Sequence, residues 1–359
     1  MNLLYLSEAT GWSGGANQVW LTSREFVRRG HRVAVACPEG ELSQRLAAAG
    51  IPVLPLAISQ DYDLRSAWRV ARYAWDLGID VVHAHHPRAH AVGLLSTALG
   101  RRAPLVVTRR VLFPVQRNPF SRLKYRSRWV ARYIAVCKPI ADRLVEAGVE
   151  AGRIAVIPSG VDMKRWEASR RARNGIEGRR PWTVTMVGHY ASFKGHEVLL
   201  EAAGRVLKDI PDARFLLVGR DTEKLFDRIR RSGLSASVEP MGARTDVDDI
   251  LSRTHLFVMP SLMEGIGSAL IEALAAGVPA VASDVGGLPE VVEHGVSGVL
   301  VPPGNSAALA GAIAGTLQHY PEALAMAEHG HERAERLFSI EAVVTRLEEL
   351  YAQVCGVRN

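Results

Sequence analysis

Short runs of apolar residues alternate along the first half of the chain with stretches in which apolar and polar positions recur at helical spacing. Five of these runs have the length and composition of buried strands: 1–7, 31–38, 81–85, 104–109 and 133–137. The stretch 18–28, and another that ends near Gly78, predict helices between them. Alternation of strands and helices at this spacing predicts a parallel sheet with crossover helices.

The alternation stops at 167–181, which is polar and basic, and then resumes. The second half predicts four strands and three helices: 182–188, 213–219, 255–260 and 279–283 as strands, and 196–207, 224–231 and 269–276 as helices. The pattern therefore predicts an α/β protein with two Rossmann-like domains, at 1–166 and 182–339, joined by a linker at 167–181. The remaining residues, 340–359, predict a C-terminal helix that can cross back to the first domain.

Composition favours a folded globular protein, because 48% of the 359 residues are hydrophobic and 23% are charged. The amino terminus has no basic region before its apolar run, and no 18-residue stretch is uncharged and apolar enough to span a bilayer. The three cysteines are widely separated, which argues against a disulfide framework or a metal cluster. These features predict a cytoplasmic protein.

Charge is distributed unevenly between the two halves. Residues 1–160 carry a net charge of +11, whereas residues 161–359 carry −4. Within the first half, 101–132 contains ten basic residues and no acidic one, with aromatic and apolar residues between them. Such a segment suits an anionic partner, although arginine stems that pack over apolar surface are an equally good interpretation.

The segment that follows the strand at 255–260 has the strongest chemical pattern. A glycine-containing loop leads from the strand into a helix that begins near Ser268, so the first amides of the helix are available to phosphate oxygens. Glu272, one turn into the helix, can accept hydrogen bonds from ribose hydroxyls, and Glu264 lies in the loop where it can meet the group that the diphosphate carries. An ordinary strand-to-helix turn with a surface glutamate is the alternative.

Glu264 and Glu272 resemble the E-x7-E signature of retaining glycosyltransferases of family 4, the group 1 enzymes with the GT-B fold. This fold has two Rossmann-like domains whose parallel sheets face a central cleft. Six further segments are similar to motifs of that family: 12–18, 80–86, 157–162, 187–196, 286–290 and 293–305. The resemblance thus extends over most of the chain.

The resemblance implies a nucleotide-diphosphate sugar as donor and a glycan or lipid-linked molecule as acceptor. It implies catalytic roles for Glu264, Lys194 and His85, and acceptor contacts for His83, Arg109 and Arg110. For His83 and His85, packing at the strand end is an equally good interpretation. The implied donor-binding residues are Gly14, Gly15, His189, Lys194, Gly242, Ile266, Gly267, Ser268, Ala269 and Glu272. In the implied mechanism, a departing phosphate oxygen takes the acceptor proton on the face that the diphosphate leaves, without a metal or cofactor.

Two positions depart from the family pattern. His189 stands where the family usually has an arginine that grips the leaving diphosphate, and Arg109 stands where many members have a histidine. The second variant is closer in character to bacterial transferases that build lipopolysaccharide or other surface glycans. The loss of the arginine predicts either a compensating arginine elsewhere or weaker, pH-dependent diphosphate binding.

The basic segment then gains a predicted role. Seven of its side chains are predicted to hold a phosphorylated lipid-linked acceptor and to rest on an anionic inner membrane face: Arg109, Arg110, Arg117, Arg122, Lys124, Arg126 and Arg128. We expect no nucleic-acid partner.

Two other functions stay open at this point. A sugar-nucleotide epimerase can share the two-domain architecture, and a non-catalytic glycan- or membrane-binding relative is compatible with the two substitutions. A dehydrogenase is poorly supported, because the glycines at Gly11, Gly14 and Gly15 do not form a G-x-G-x-x-G fingerprint. Asp246 and its acidic neighbours resemble a metal-binding motif of other transferases, but capping of a helix start is the better interpretation.

Overall fold

The computed structural model describes residues 1–100, 103–113, 119–173, 175–176 and 178–356, which divide into two compact units. The first unit contains 1–160 together with the C-terminal segment from Ile340, and the second contains Val161–Ser339. No helix among the described residues is both long enough and apolar enough to cross a bilayer.

The first unit is built on a seven-stranded parallel sheet. Its strands are β1 (Asn2–Leu6), β2 (Arg32–Cys37), β3 (Val53–Pro55), β4 (Val81–Ala84), β5 (Leu105–Arg109), β6 (Val130–Ala135) and β7 (Ile154–Val156). Its helices are α1 (Gly14–Arg28), α2 (Glu41–Ala48), α3 (Leu64–Asp76), α4 (Pro87–Ala98), α5 (Pro119–Arg126) and α6 (Lys138–Glu146). The strand order is β3-β2-β1-β4-β5-β6-β7, so the chain starts at the third position of the sheet and winds to both edges.

The second unit repeats this plan with a six-stranded parallel sheet. Its strands are β8 (Thr183–Val187), β9 (Arg214–Val218), β10 (Val238–Gly242), β11 (Leu256–Met259), β12 (Ala280–Ser283) and β13 (Val299–Val301). Its helices are α7 (Met163–Ala172), α8 (His196–Asp209), α9 (Phe226–Arg231), α10 (Val247–Ser252), α11 (Ser268–Ala275), α12 (Leu288–Val291), α13 (Ser306–Gln318) and α14 (Tyr320–Phe338). The strand order is β10-β9-β8-β11-β12-β13.

The last helix, α15 (Ile340–Gly356), belongs to the first unit. Its apolar face, which includes Val343, Leu347 and Tyr351, lies in the same buried cluster as Tyr5 and Phe26. The Tyr351 ring stacks on Phe26 with a centroid separation of 5.5 Å, and its hydroxyl lies 3.2 Å from that of Tyr5. A segment distant in sequence therefore completes the core of the first unit.

The predicted linker at 167–181 is wrong for its helical part. The chain passes from the first unit to the second between Gly160 and Val161, and α7 packs within the second unit. Buried Arg173 follows α7 and donates hydrogen bonds to the carbonyls of Leu251 and Thr254, near the end of α10. The basic composition misled the prediction at Arg173, whose charge satisfies carbonyls at a helix end, whereas Arg171, Arg179 and Arg180 do face solvent.

Candidate active site

Polar side chains follow three neighbouring strands of the second sheet, and a glycine ends a fourth. Lys194 lies in the loop after β8, Arg220 follows β9, Gly242 ends β10 and Glu264 lies in the loop after β11. These strands are parallel and occupy adjacent positions in the sheet, so their carboxyl ends share one edge. Ligands of open parallel sheets bind at this edge, which makes it the candidate site of the second unit.

Lys194 and Glu264 form an ion pair at this edge. The Lys194 ammonium donates to Oε2 of Glu264 at 2.6 Å, and the two side chains are only 17% and 14% exposed. The Ser261 hydroxyl donates to the same oxygen at 3.3 Å, and the Gly265 amide donates to Oε1 at 3.2 Å. The structure thus brings together two residues that are distant in sequence and that were both predicted to act in catalysis.

The two loops that carry this pair are joined by their backbones. The Leu262 amide donates to the Phe193 carbonyl at 2.8 Å. Gly195 has a φ of +78°, and a Cβ at this position would lie 1.8 Å from the Pro260 carbonyl oxygen. Only glycine permits this approach, so the glycine after Lys194 is required to hold the lysine beside the second loop.

The N-terminus of α11 lies in the same loop. Gly267 precedes the helix with a φ of +69°, and a Cβ there would lie 2.5 Å from the Leu288 side chain. The amides of Ser268 and Ala269 in the first turn have no acceptor within the helix, and the helix dipole places partial positive charge beside them. The predicted phosphate-binding turn is therefore present as a backbone arrangement, and its ligand stays a prediction.

Glu272 is partly buried within α11. Burial raises the pKa of its carboxyl group to about 7, against a smaller opposing effect of the Arg165 charge. No donor to this carboxylate is found among the described residues. Burial without hydrogen-bond donors destabilises the ionised form of a carboxylate. A ligand whose hydroxyl groups donate to this carboxylate would therefore stabilise it.

His189 and Arg220 lie near Lys194. His189 is exposed, yet partial burial, followed by the charges of Lys194 and Arg220, lowers the pKa of its imidazole below the usual value. His189 is therefore neutral at pH 7 and cannot replace the charge of the arginine that the family has there.

The sequence interpretation did not name Arg220. The signal was available, because Arg220 directly follows β9, the strand beside β8, but it needed the sheet order to be recognised. No ion-pair partner of Arg220 is found among the described residues. Its charge is thus free to act on a ligand at this edge.

Gly242 and Ile266, two of the residues predicted to contact the sugar nucleotide, are constrained by their surroundings in the second unit. Gly242 has a φ of +69°, and a Cβ there would collide with the Glu223 carboxylate at 2.3 Å. Its amide donates to the Thr222 hydroxyl at 3.0 Å. Ile266 is buried, so its side chain offers a ligand little surface.

In the first unit, the ends of β1, β4 and β5 form a second polar cluster. His83 is buried in it, with Nδ1 2.6 Å from the Tyr351 hydroxyl and Nε2 2.6 Å from the Thr108 hydroxyl. Both ring nitrogens are therefore used within the unit. This geometry argues against the predicted contact between His83 and an acceptor and gives the residue a role in holding α15.

His85 and Arg110 have free hydrogen-bonding capacity in the same cluster. Arg110 lies 3.1 Å from His85 Nδ1, and no carboxylate partner of its guanidinium is found among the described residues. Burial lowers the pKa of Arg110 to about 10. Burial, and then the neighbouring His83 and Arg110, lower the pKa of His85 well below its usual value. His85 is thus neutral, and its buried Nε2 has no hydrogen-bond partner in the part of the chain that the structure describes.

The other basic residues of 101–132 differ in availability. Arg109 is buried and donates to the Tyr125 hydroxyl at 2.8 Å and to the Phe113 carbonyl, so its predicted acceptor contact would require these bonds to break. Lys124 is mostly buried and pairs with Asp61 at 3.3 Å. Arg126 and Arg128 are exposed, Arg117 lies outside the described residues, and the Arg122 side chain is also outside them.

The predicted glycine loop of the first unit precedes α1. The Ser13 hydroxyl accepts from the Ala16 amide at 3.2 Å and caps the helix, whose first residues are Gly14 and Gly15. A Cβ on Gly15 would lie 3.4 Å from Nε2 of His86, the residue that precedes α4. A Cβ at that distance would make an ordinary contact, so the structure does not require glycine here, and the contact of Gly15 with a donor stays a prediction.

The acidic segment at Asp246 forms a helix start but not in the predicted way. Asp246 occupies the N-cap position of α10, yet its side chain makes no capping bond and pairs with Arg244 at 2.6 Å. No group of three or more potential ligands that could hold a metal ion is found in the described part of the chain.

Two family models match the chain in the regions described above. The model for glycosyl transferases group 1 matches 181–319, and the model for Glycosyltransferase Family 4 matches 12–165. Together the matches span most of both units. The chain therefore belongs to this family of glycosyltransferases.

Individual relatives and a solved structure agree with the family. The chain is 27% identical to a phosphatidyl-myo-inositol mannosyltransferase of Mycobacterium leprae, across 85% of this chain and 84% of that protein. It is 26% identical to a UDP-Gal:alpha-D-GlcNAc-diphosphoundecaprenol alpha-1,3-galactosyltransferase of Escherichia coli, across 72% of each. The crystal structure of Anabaena HepE in complex with UDP-glucose matches with a TM-score of 0.83 and 23% identity, across 98% of this chain and 100% of HepE. The chain has the GT-B fold, as the resemblance implied.

Proposed function

We propose that this glycosyltransferase is a retaining, metal-independent hexosyltransferase that moves a sugar from a nucleotide-diphosphate sugar to a glycan or lipid-linked acceptor. The observation that carries the proposal is the Lys194–Glu264 pair, 2.6 Å long, beside the N-terminus of α11. It combines a cation for the leaving group with a carboxylate for the sugar. Glu272 follows one turn into the same helix, at a suitable distance in sequence for the ribose.

The leaving diphosphate needs positive charge that is fixed in place as the bond to the sugar breaks. Lys194 and Arg220 supply full charges at the strand ends, and the first amides of α11 supply partial charges. His189, which is neutral, supplies a hydrogen bond only. In this proposal Arg220 takes over the charge that the family usually has at the position of His189, and the cations make a divalent ion unnecessary.

The two glutamates act on different parts of the donor. Glu264 already accepts hydrogen bonds from Lys194, Ser261 and Gly265, and these three donors fix the orientation of its carboxylate. In the proposed complex, sugar hydroxyls join or replace these donors. Glu272 accepts hydrogen bonds from ribose hydroxyls, which supply the donors that its carboxylate lacks among the described residues.

The acceptor is assigned to the first unit. His85, with a free and neutral Nε2, can accept a hydrogen bond from an acceptor hydroxyl and orient it, and Arg110 can bind an anionic group of the acceptor. Retention follows when the hydroxyl attacks on the face that the diphosphate leaves and a phosphate oxygen takes its proton. No carboxylate nucleophile is then needed.

The biological setting belongs to the same proposal. We assign the enzyme to lipopolysaccharide or cell-surface polysaccharide biosynthesis in the cytoplasm, at the inner membrane face. The support is the resemblance at 108–114 and the relative that acts on a diphosphoundecaprenol-linked sugar.

The test measures the melting temperature with UDP, GDP or ADP in the presence of EDTA, followed by product analysis with the matching sugar nucleotide. We expect one nucleoside diphosphate to stabilise the wild type, and Glu272→Gln to abolish that effect. Conversion of the sugar nucleotide without an acceptor would identify an epimerase instead. Stabilisation only when a divalent ion replaces EDTA would contradict the metal-independent site.

A further inference from the structure

The part of α11 that contains Glu272 lies near α7 and α10. Burial raises the pKa of Glu272, and the charge of Arg165, on α7, opposes that rise. The Arg165 guanidinium lies 3.9 Å from the carboxylate of Asp248, in the first turn of α10, and the Ser169 hydroxyl of α7 donates to the Asp248 carbonyl at 3.0 Å. Since α10 follows β10, a nucleotide whose ribose lies at Glu272 extends with its base toward the end of β10.

The end of β10 is tied to the loop that follows β9. The Gly219 amide donates to the Gly242 carbonyl at 2.8 Å, and the Gly242 amide donates to the Thr222 hydroxyl at 3.0 Å. Thr222 and Leu225, the first and last residues of a short 3-10 helix, are both buried. This helix is therefore held in place on both sides of Glu223, its second residue.

The carboxylate of Glu223 lies against the backbone at the end of β10. A Cβ on Gly242 would lie 2.3 Å from Glu223 Oε1 and 2.8 Å from its carboxyl carbon, so the glycine leaves the space that the carboxylate occupies. Glu223 is exposed, which makes its carboxylate accessible to a ligand. A ligand group that reaches the end of β10 therefore meets an acidic group there.

Glu223 differs from the other acidic residues around this strand end because it has no basic partner. The segments 219–225 and 243–249 contain five acidic residues. Four of them form ion pairs: Asp221 with Lys224, Asp246 with Arg244, Asp248 with Arg165, and Asp249 with Arg253. No ion pair or hydrogen bond of the Glu223 carboxylate is found within the described ranges of the chain. Both of its oxygens are thus available as acceptors.

A carboxylate distinguishes nucleobases by the hydrogen-bond donors on their edges. Guanine presents N1–H and its N2 amino group side by side, so both carboxylate oxygens can accept a hydrogen bond. Uracil presents one N–H between two carbonyl oxygens, which a carboxylate repels. Adenine presents its amino group beside a ring nitrogen that is itself an acceptor. An acidic group at the position of the base therefore favours guanine over uracil and adenine.

We propose that the carboxylate of Glu223 binds the base of the sugar nucleotide and selects guanine, so that the substrate is a GDP-linked sugar. This inference rests on the proposed function, because it takes Glu272 as the ribose-binding residue, and it adds the identity of the base. Base selection then resides in the loop after β9, outside the segment from Glu264 to Glu272.

The test measures binding of GDP, UDP, ADP and IDP by titration calorimetry in the presence of EDTA. IDP is the most specific probe, because its base keeps N1–H but lacks the N2 amino group of guanine. We expect the wild type to bind GDP about tenfold or more tightly than each of the other three. Glu223→Gln should weaken GDP binding about tenfold and remove the difference between GDP and IDP, because an amide has one acceptor oxygen and places an NH2 group opposite a second donor. Glu201→Gln, at an exposed acidic residue on α8, is the matched control and should bind all four nucleotides like the wild type.

Three results would overturn this inference and leave the proposed function intact. The wild type binds UDP or ADP more tightly than GDP, it binds GDP and IDP equally, or Glu223→Gln binds both of these as the wild type does. Binding of none of the four nucleotides would instead overturn the proposed function, and this inference with it. Because Glu223 is exposed, Glu223→Gln without ligand should melt at the wild-type temperature, which excludes unfolding as the cause of weaker GDP binding.

Discussion

At the residue scale, Glu272 combines a role in the proposed site with a cost to the fold. Its ordinary pKa of 4.5 is raised to about 7 in the folded chain by burial. The folded chain therefore favours the protonated form of Glu272. The stabilisation that this preference gives is present below about pH 5 and is lost as the pH rises through about 7. Glutamine resembles the protonated acid in size but cannot ionise.

Glu272→Gln should therefore be as stable as the wild type at pH 5 and more stable at pH 8, although it no longer responds to a nucleoside diphosphate. Thermal unfolding at the two pH values, with and without ligand, measures both effects. A variant that loses stability equally at pH 5 and pH 8 would indicate that the carboxylate is a structural partner and not a ligand-binding group.

Arg220 allows a second prediction, because the neutral His189 beside it leaves one arginine and one lysine to meet the diphosphate. Arg220→Gln should weaken binding of the nucleoside diphosphate about tenfold, equivalent to about 1.4 kcal/mol, and leave binding of the nucleoside nearly unchanged. Titration calorimetry with both ligands separates charge from base recognition. Arg231→Gln, an exposed arginine on α9, is the control and should behave like the wild type. Equal loss for both ligands would assign Arg220 a structural role.

At the scale of elements, Gly195 connects two loops whose side chains form the site. Gly195→Ala places a Cβ in contact with the Pro260 carbonyl, 1.8 Å from its oxygen before any relaxation, and requires a left-handed conformation of alanine. We expect a loss of about 1–3 kcal/mol in the free energy of unfolding, together with weaker nucleoside diphosphate binding.

Urea unfolding and ligand titration measure the two effects of Gly195→Ala. Gly311→Ala, within α13 where a Cβ meets nothing within 4 Å, is the control and should stabilise slightly. Normal binding by a destabilised Gly195→Ala chain would show that the loops hold Lys194 and Glu264 together without the glycine.

The central strands were predictable from sequence because each is a buried apolar run, whereas the edge strands were not. β3, β7 and β13 are three residues long and lie at the ends of their sheets, and their side chains are partly buried or exposed except for Val301. Such strands form because a neighbouring strand supplies backbone hydrogen-bond partners. The hydrophobic periodicity of the sequence gives no signal of those partners. α7 was missed for a related reason, since two of its arginines, Arg165 and Arg170, have partners that become adjacent only on folding.

The candidate site was predictable to the extent that it is local in sequence. The glycines and the helix start between Glu264 and Glu272 all lie within one short segment. The sequence motif is therefore enough to predict the local backbone arrangement. The role of His83 was not predictable in this way, because its partner Tyr351 lies on the last helix. Arg220 likewise becomes a site residue only through the order of strands in the sheet.

At the scale of the whole molecule, the two units differ in what their surfaces and strand ends offer. The second unit has the Lys194–Glu264 pair and three exposed large apolar side chains in its described part, whereas the described part of the first unit has thirteen such side chains, the basic charge and a buried polar cluster that includes His83, His85 and Arg110. The chain's last helix belongs to the first unit, although the whole second unit precedes it in sequence. Stability of the first unit thus depends on residues that follow the whole second unit in sequence.

Tyr351 is the residue through which this dependence can be measured. Its buried ring packs on Phe26, and its hydroxyl meets His83 and Tyr5. Tyr351→Phe removes the hydroxyl and leaves buried partners unsatisfied, which costs about 1–3 kcal/mol, whereas Tyr351→Ala also opens a cavity and costs about 3–5 kcal/mol. The loss should be confined to the first unit, because the contacts of Tyr351 are all within it.

Hydrogen exchange measured by peptide distinguishes the units in these variants. We expect faster exchange in 1–160 and 340–356, graded from Tyr351→Phe to Tyr351→Ala, and unchanged exchange in 161–339. Stabilisation of the second unit by the nucleoside diphosphate should persist in both variants, since Lys194, Glu264 and Glu272 are untouched. Faster exchange throughout the chain would instead show that the two units unfold as one cooperative body, with α15 holding the fold of both.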